Sequence, residues 1–172
     1  MTETKPRQRG ALQRVSDAWY RALSALMVVA LVVLIIPVTL QIFSRHTPLV
    51  PTYIWTEELA RLMFVWLVML GAMVGMRERL HFVVDVWPQL SPRANAVVEL
   101  VAGVATLVFA LVFVWAGWEF TEFAFYRISE LAELPLWTIH IAWPVLGVTW
   151  VLFQGEHMAE MARVALRGAE AP

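Results

Sequence analysis

Four long apolar blocks, parted by short stretches that hold nearly all of the charge, constrain this chain more than any other feature. They run Ala22 to Phe43, Leu62 to Met76, Leu100 to Trp118 and Pro135 to Phe153. About 20 apolar residues cross a hydrocarbon core ~30 Å thick, so the first block spans by itself. It is also longer than the apolar region of about 7–15 residues found in a cleaved secretory signal. Pro37 inside it predicts a kink, which neighbouring groups in a bundle can satisfy. The second block covers only roughly 22 Å at 1.5 Å per residue. Extending it back to Thr56 gives the needed length and puts Glu57, Glu58 and Arg61 in its first turns, at one membrane surface. Thr56 then serves as an N-cap, and the two carboxylates suit the positive end of the helix dipole. Pro135 fits the first turn of the fourth span, where its missing N–H costs nothing. The expected architecture is all-α and integral to the membrane, with transmembrane helices at about 22–43, 56–76, 97–118 and 135–154. Trp19, Trp55, Trp87, Trp118 and Trp137 stand at block edges, as aromatic belts do.

With 60% apolar and 16% charged residues, the 172-residue chain reads as one membrane domain rather than two domains. It has no cysteine, which excludes disulfides, thiolate metal sites and thiol redox chemistry. No phosphate-binding glycine loop, zinc-binding helix motif or nucleophile elbow is present, so no enzyme activity and no cofactor are expected. The net charge of -1 gives no reason to invoke nucleic acid.

Lys and Arg set the orientation. Lys5, Arg7, Arg9, Arg14 and Arg21 precede the first span, Arg77, Arg79 and Arg93 fall in the second connection, and Arg163 and Arg167 lie in the tail. Only Arg45 and Arg127 mark the opposite side, with Arg61 at the mouth of the second span. By the positive-inside rule both termini are expected in the cytoplasm. The external third connection carries Glu119, Glu122, Glu130 and Glu133, making that face acidic.

Three clusters stand out as sites of subunit contact or anchoring. Glu57 and Glu58 precede Arg61 at helix-face spacing, which lets a carboxylate meet the guanidinium. Gly71 and Gly75, with Ala72 beside them, form a small-xxx-small pair that permits close approach of another helix, inside the bundle or across a subunit boundary. Arg77, Arg79, His81 and Asp85, interleaved with Phe82, Val83, Val84, Val86 and Trp87, suit an amphipathic segment lying along the cytoplasmic interface over about 78–92. The four histidines His46, His81, His140 and His157 raise the alternative of a haem- or quinone-linked redox anchor. All but His140 fall outside the apolar blocks or at their ends. The first, third and fourth spans hold no acidic or basic residue through their centres apart from His140, so no proton or ion relay is evident.

The run Trp55-Thr56-Glu57-Glu58-Leu59-Ala60-Arg61, then Trp66-Leu67 and Gly71-Ala72, then Arg77 followed by His81-Phe82-Val83-Val84-Asp85, resembles the small, DctQ-like membrane subunit of tripartite ATP-independent periplasmic (TRAP) transporters. The match is tightest over residues 55–85, and Phe82 stands where the family more often has isoleucine. The resemblance implies an accessory subunit in the bacterial inner membrane, part of a sodium-coupled importer of an organic acid. It implies as partners a large membrane subunit of the M type, which holds the substrate and sodium sites, and a periplasmic binding protein of the P type, besides membrane lipids. In such a complex Glu57, Glu58, Arg61, Gly71, Gly75, Arg77, His81 and Asp85 have structural or subunit-interface roles and none is catalytic.

Overall fold

A computed structural model describes residues 11–48, 51, 53–78, 92–130 and 132–168, with side chains described over 13–48, 51, 53–78, 98–130 and 132–159. Its elements are α1 (Ala11–His46), α2 (Trp55–Arg77), α3 (Pro92–Ala124), the single turn α4 (Trp137–His140) and α5 (Ala142–Gly168). Three stretches are long and apolar enough to cross a membrane: Gln13–His46, Trp55–Arg77 and Val98–Ala124.

Helix ends depart from the expected positions for local reasons. Thr56 does not cap α2. The helix begins one residue earlier after Ile54, and the Thr56 hydroxyl donates back to the Tyr53 carbonyl at 2.6 Å. At the end of α1, the Thr47 hydroxyl donates to the Phe43 carbonyl at 2.8 Å, which also accepts the Thr47 N–H at 2.9 Å, and His46 Nδ1 lies 2.9 Å from the Ile42 carbonyl, so side chains fold back onto the last turn. The fourth apolar block is not one helix. Pro144 has no N–H for the His140 carbonyl and its ring crowds that carbonyl, and the ladder breaks at Ile141 between α4 and α5. Pro135 lies outside the helix, in an isolated antiparallel bridge with Ile128. Around that bridge the Ser129 N–H donates to Leu134 O at 2.9 Å and the Leu136 N–H to Arg127 O at 3.0 Å. The third connection is therefore a tight hairpin, with Glu133 at φ 53°.

The helices stand in a row rather than a closed bundle. α1 packs on α2, α2 on α5, and α5 on α3, while among the described residues neither α1 nor α2 touches α3. Lipid is as apolar as leucine, so helix association here draws on van der Waals fit and interhelical hydrogen bonds. The α1–α2–α5 seam is filled by Leu23, Ala30, Met69, Leu70, Met73, Val74, Leu146 and Phe153, with the flexible methionines taking up irregular space. The α3–α5 seam is built on small residues. Gly103, Ala110, Gly117 and Ala124 recur every seventh residue along α3 and all are buried. A Cβ on Gly117 would stand 2.8 Å from Pro144 N, and one on Gly147 would stand 2.7 Å from both Ala110 O and Val114 N. The two backbones are as close as glycine allows. Three indoles then cross-link the row: Trp19 Nε1 donates to Thr149 Oγ1 at 3.1 Å, Trp66 Nε1 to Thr138 O at 2.9 Å and Trp150 Nε1 to Ala72 O at 3.2 Å.

Candidate functional site: charged anchors and an open face of α2

At the end of the row expected to face the cytoplasm, the last turn of α2 reaches two other helices at once. Arg77 Nη1 donates to Ser16 Oγ of α1 at 2.5 Å and to Glu156 Oε2 of α5 at 2.6 Å, while Nη2 donates to Asp17 Oδ1 of α1. The guanidinium also lies 5.3 Å from the centre of the Phe153 ring, so it is held from the side by an aromatic face. Ser16 is fully buried, and the Glu156 side chain is only 12% exposed. Beside this clasp, the Tyr20 hydroxyl donates to Glu78 Oε1 at 2.5 Å, a second tie between α1 and the end of α2. On the far side of α5, His157 Nε2 lies 3.6 Å from Glu99 Oε1 of α3. A planar fork with several donors suits such a multiple contact, and lysine would not reproduce it.

At the opposite end the charges divide differently from the sequence expectation. Among the described residues no ion pair joins Arg61 to Glu57 or Glu58. Glu58 instead turns towards the hairpin, where its Oε2 accepts the Ala132 N–H at 2.6 Å. A carboxylate accepting a backbone N–H is a charge-assisted bond, and this one ties the third connection to α2. Glu57 and Arg61 stay exposed, with no partner among the described residues. Below them on the same side of α2, Phe64 and Val68 are exposed too. A Cβ on Gly71 would meet nothing within 4 Å, so among the described residues Gly71 is not a contact between helices. Gly75 is buried.

His81 and Asp85, with most of the 78–92 segment, lie outside the described residues. Of the other histidines, His46 lies at the end of α1, His157 by Glu99, and His140 packs on the Phe120 ring at 4.7 Å with Nδ1 2.7 Å from Leu136 O. The sequence reading passed over Ser16, Asp17 and Glu156, whose pairing with Arg77 spans some sixty to eighty positions and leaves no local signature. It also passed over Gly103, Gly117 and Gly147. A signal for the first two was present in the seven-residue recurrence of small residues on α3.

The family model of the DctQ component of tripartite ATP-independent periplasmic transporters matches residues 34–164. The chain belongs to this family. Two curated relatives carry the same stamp. Over 118 residues this DctQ-family chain is 34% identical to the sialic acid TRAP transporter permease protein SiaT of Haemophilus influenzae, a match covering 63% of the chain and 18% of that protein. Over 84 residues it is 30% identical to the C4-dicarboxylate TRAP transporter small permease protein DctQ of Vibrio cholerae, covering 45% of the chain and 36% of that protein. The chain therefore spans well under two thirds of either relative's length. Family membership makes it a TRAP transporter component of the inner membrane, and gives no support to the redox-anchor alternative.

Proposed function

We propose that this chain is the small subunit that braces the large permease of a sodium-coupled TRAP importer of an organic acid, working with a periplasmic binding protein. The observation that carries the reading is the open row of helices. Its charged side chains gather at the two ends, and the long exposed faces of α1 and α3 are apolar, with Val28, Val32 and Ile35 on one and Val101, Val104 and Val108 on the other. Secondary transporters hold substrate and ions near the midplane, on broken helices and polar groups. Here the break in α4–α5 lies near one end, and the described residues enclose no polar interior through which a solute would pass. The two relatives are named for sialic acid and for C4-dicarboxylates, both organic acids, which supports that substrate class.

The reading includes four crossings, with both termini and residues 77–93 in the cytoplasm and residues 44–56 and 119–134 outside. α5 supplies the fourth crossing. The support is the count of Lys and Arg, since thirteen are present and only Arg45 and Arg127 fall in the external connections. Because the chain is free of cysteine, single cysteines report sidedness directly. Glu130→Cys is expected to react with an impermeant maleimide added to intact cells, and Arg79→Cys only after the membrane is opened. Labelling of Arg79→Cys from outside would overturn the orientation.

Bracing predicts that the chain is necessary for uptake and insufficient for it. The check is reconstitution into proteoliposomes under a sodium gradient with sialic acid and C4-dicarboxylates as candidate solutes, omitting one component at a time. Uptake should vanish without the large subunit and fall to background without this chain. Undiminished uptake in its absence, or uptake by this chain alone, would rule the reading out.

A further inference from the structure

The stripe of α2 formed by Glu57, Arg61, Phe64, Val68 and Gly71 is, we infer, the surface that receives a membrane helix of the large permease, with Arg61 paired to a carboxylate on that helix. The inference rests on the bracing function above and names the face through which bracing acts.

These five residues recur at i, i+4, i+7, i+11 and i+14, so they line one side of the helix over about 21 Å, or four turns. The rest of α2 is already occupied. Trp66 and Ala72 are bonded to α4 and α5, Arg77 reaches α1 and α5, and Met69, Leu70, Met73 and Val74 fill the core. What separates the stripe from the apolar faces of α1 and α3 is its polar end. Arg61 sits about 9 Å along the helix from Trp55, which puts its Cα below the aromatic belt. Among the described residues its guanidinium has no partner, and an unpaired charge at that depth is costly.

Two partners are chemically suited to a guanidinium here, a lipid phosphate and a carboxylate. Side chains on a helix lean toward its N-terminus, so Arg61 points up toward the headgroups. Glu57 stands one turn above it on the same stripe and is equally free, so a phosphate descending to Arg61 meets a carboxylate first. A protein helix with an acid opposite Arg61 and a donor opposite Glu57 satisfies both. At the other end Gly71 leaves open backbone that a second helix can approach closely, and none of the described residues fills that space. The size of the occupant follows from the sialic acid relative, in which the matched residues are only 18% of one continuous permease chain.

The experiment is affinity purification of the tagged full-length chain co-expressed with the large permease. Arg61→Leu and Gly71→Leu are compared with Gly155→Leu, because Gly155 on α5 is also open, with nothing within 4 Å of a Cβ, yet lies off the stripe. The two stripe variants should each retain about tenfold less large subunit or worse, the scale for losing a desolvated charge pair or a close helix contact. Gly155→Leu should retain it fully, and all three chains purified alone should keep the parent's elution profile and helix content. Phe64→Cys supplies a reading without a bulky insertion, since a short thiol-reactive cross-linker should join it to the large subunit. If the parent chain retains no large subunit, the bracing function itself fails. If the parent retains it and both stripe variants do so equally, the stripe alone is overturned. A Phe64→Cys cross-link to a second copy of this chain, or none to any protein, gives the face to a homodimer or to lipid and also overturns the assignment.

Discussion

Replacing Arg77 by methionine is expected to loosen the cytoplasmic end of the row and to lower the thermal stability of the purified chain in detergent more than any other single charge removal. The guanidinium is the counter-charge of both Asp17 and Glu156, and it satisfies the hydroxyl of the buried Ser16. Breaking a fully buried pair costs about 3–5 kcal/mol, because the remaining partner is left charged in a poor solvent. The Arg77 and Asp17 side chains are 24% and 34% exposed, so water relieves part of this, and a loss on the order of 2 kcal/mol is expected. The sign of the effect depends on the carboxylates that lose this counter-charge. Adding Asp17→Asn and Glu156→Gln to the methionine variant should therefore recover much of the loss, since removing both sides of a pair costs far less than removing one. Equal unfolding temperatures for the parent and Arg77→Met would mean that the clasp is decorative. A triple variant no better than the single one would put the effect on the apolar contact with Phe153 instead.

Gly147→Ala should separate α3 from α5. The added methyl would sit 2.7 Å from Ala110 O and Val114 N and 2.8 Å from Val114 Cγ2, and the first two belong to backbone that cannot turn aside. Overpacking of this kind costs about 1–3 kcal/mol, and the lower end applies only if the helices slide apart without losing other contacts. Here they hold Gly103, Ala110, Gly117 and Ala124 in one continuous seam, so a shift at Gly147 is felt along its length. The natural comparison is Gly155→Ala on the same helix, where the methyl enters open space and stability should not fall. Parent and variants are compared by thermal unfolding in one detergent. A cysteine pair placed across α3 and α5 reports separation directly, through loss of cross-linking. If Gly147→Ala and Gly155→Ala behave alike, the closeness of the seam is not a source of stability.

The sequence by itself determined the membrane class, the positions of three apolar helices, the expected orientation and the family resemblance. Each of these rests on local information. Whether a stretch can cross a bilayer depends on its own length and hydropathy, orientation depends on counting charges near its ends, and the motif between Trp55 and Arg77 lies within one helix. Local reasoning began to fail where one helix had to choose its partner. The Glu-Glu-x-x-Arg spacing made an ion pair possible, yet spacing along one helix does not reveal acceptances from remote segments, and Glu58 takes the Ala132 N–H of a distant hairpin. Gly71 and Gly75 read as a contact surface, but a Cβ on Gly71 meets nothing within 4 Å, and α3 and α5 instead meet closely at Gly103, Gly117 and Gly147. The tertiary structure alone decided that Arg77 closes on Asp17 and Glu156 and that the helices stand in an open row. Those outcomes depend on which side chains converge from remote positions once the backbones are packed. A bilayer rewards every arrangement of apolar helices nearly equally, so only the few polar bonds and the closest backbone contacts select among them.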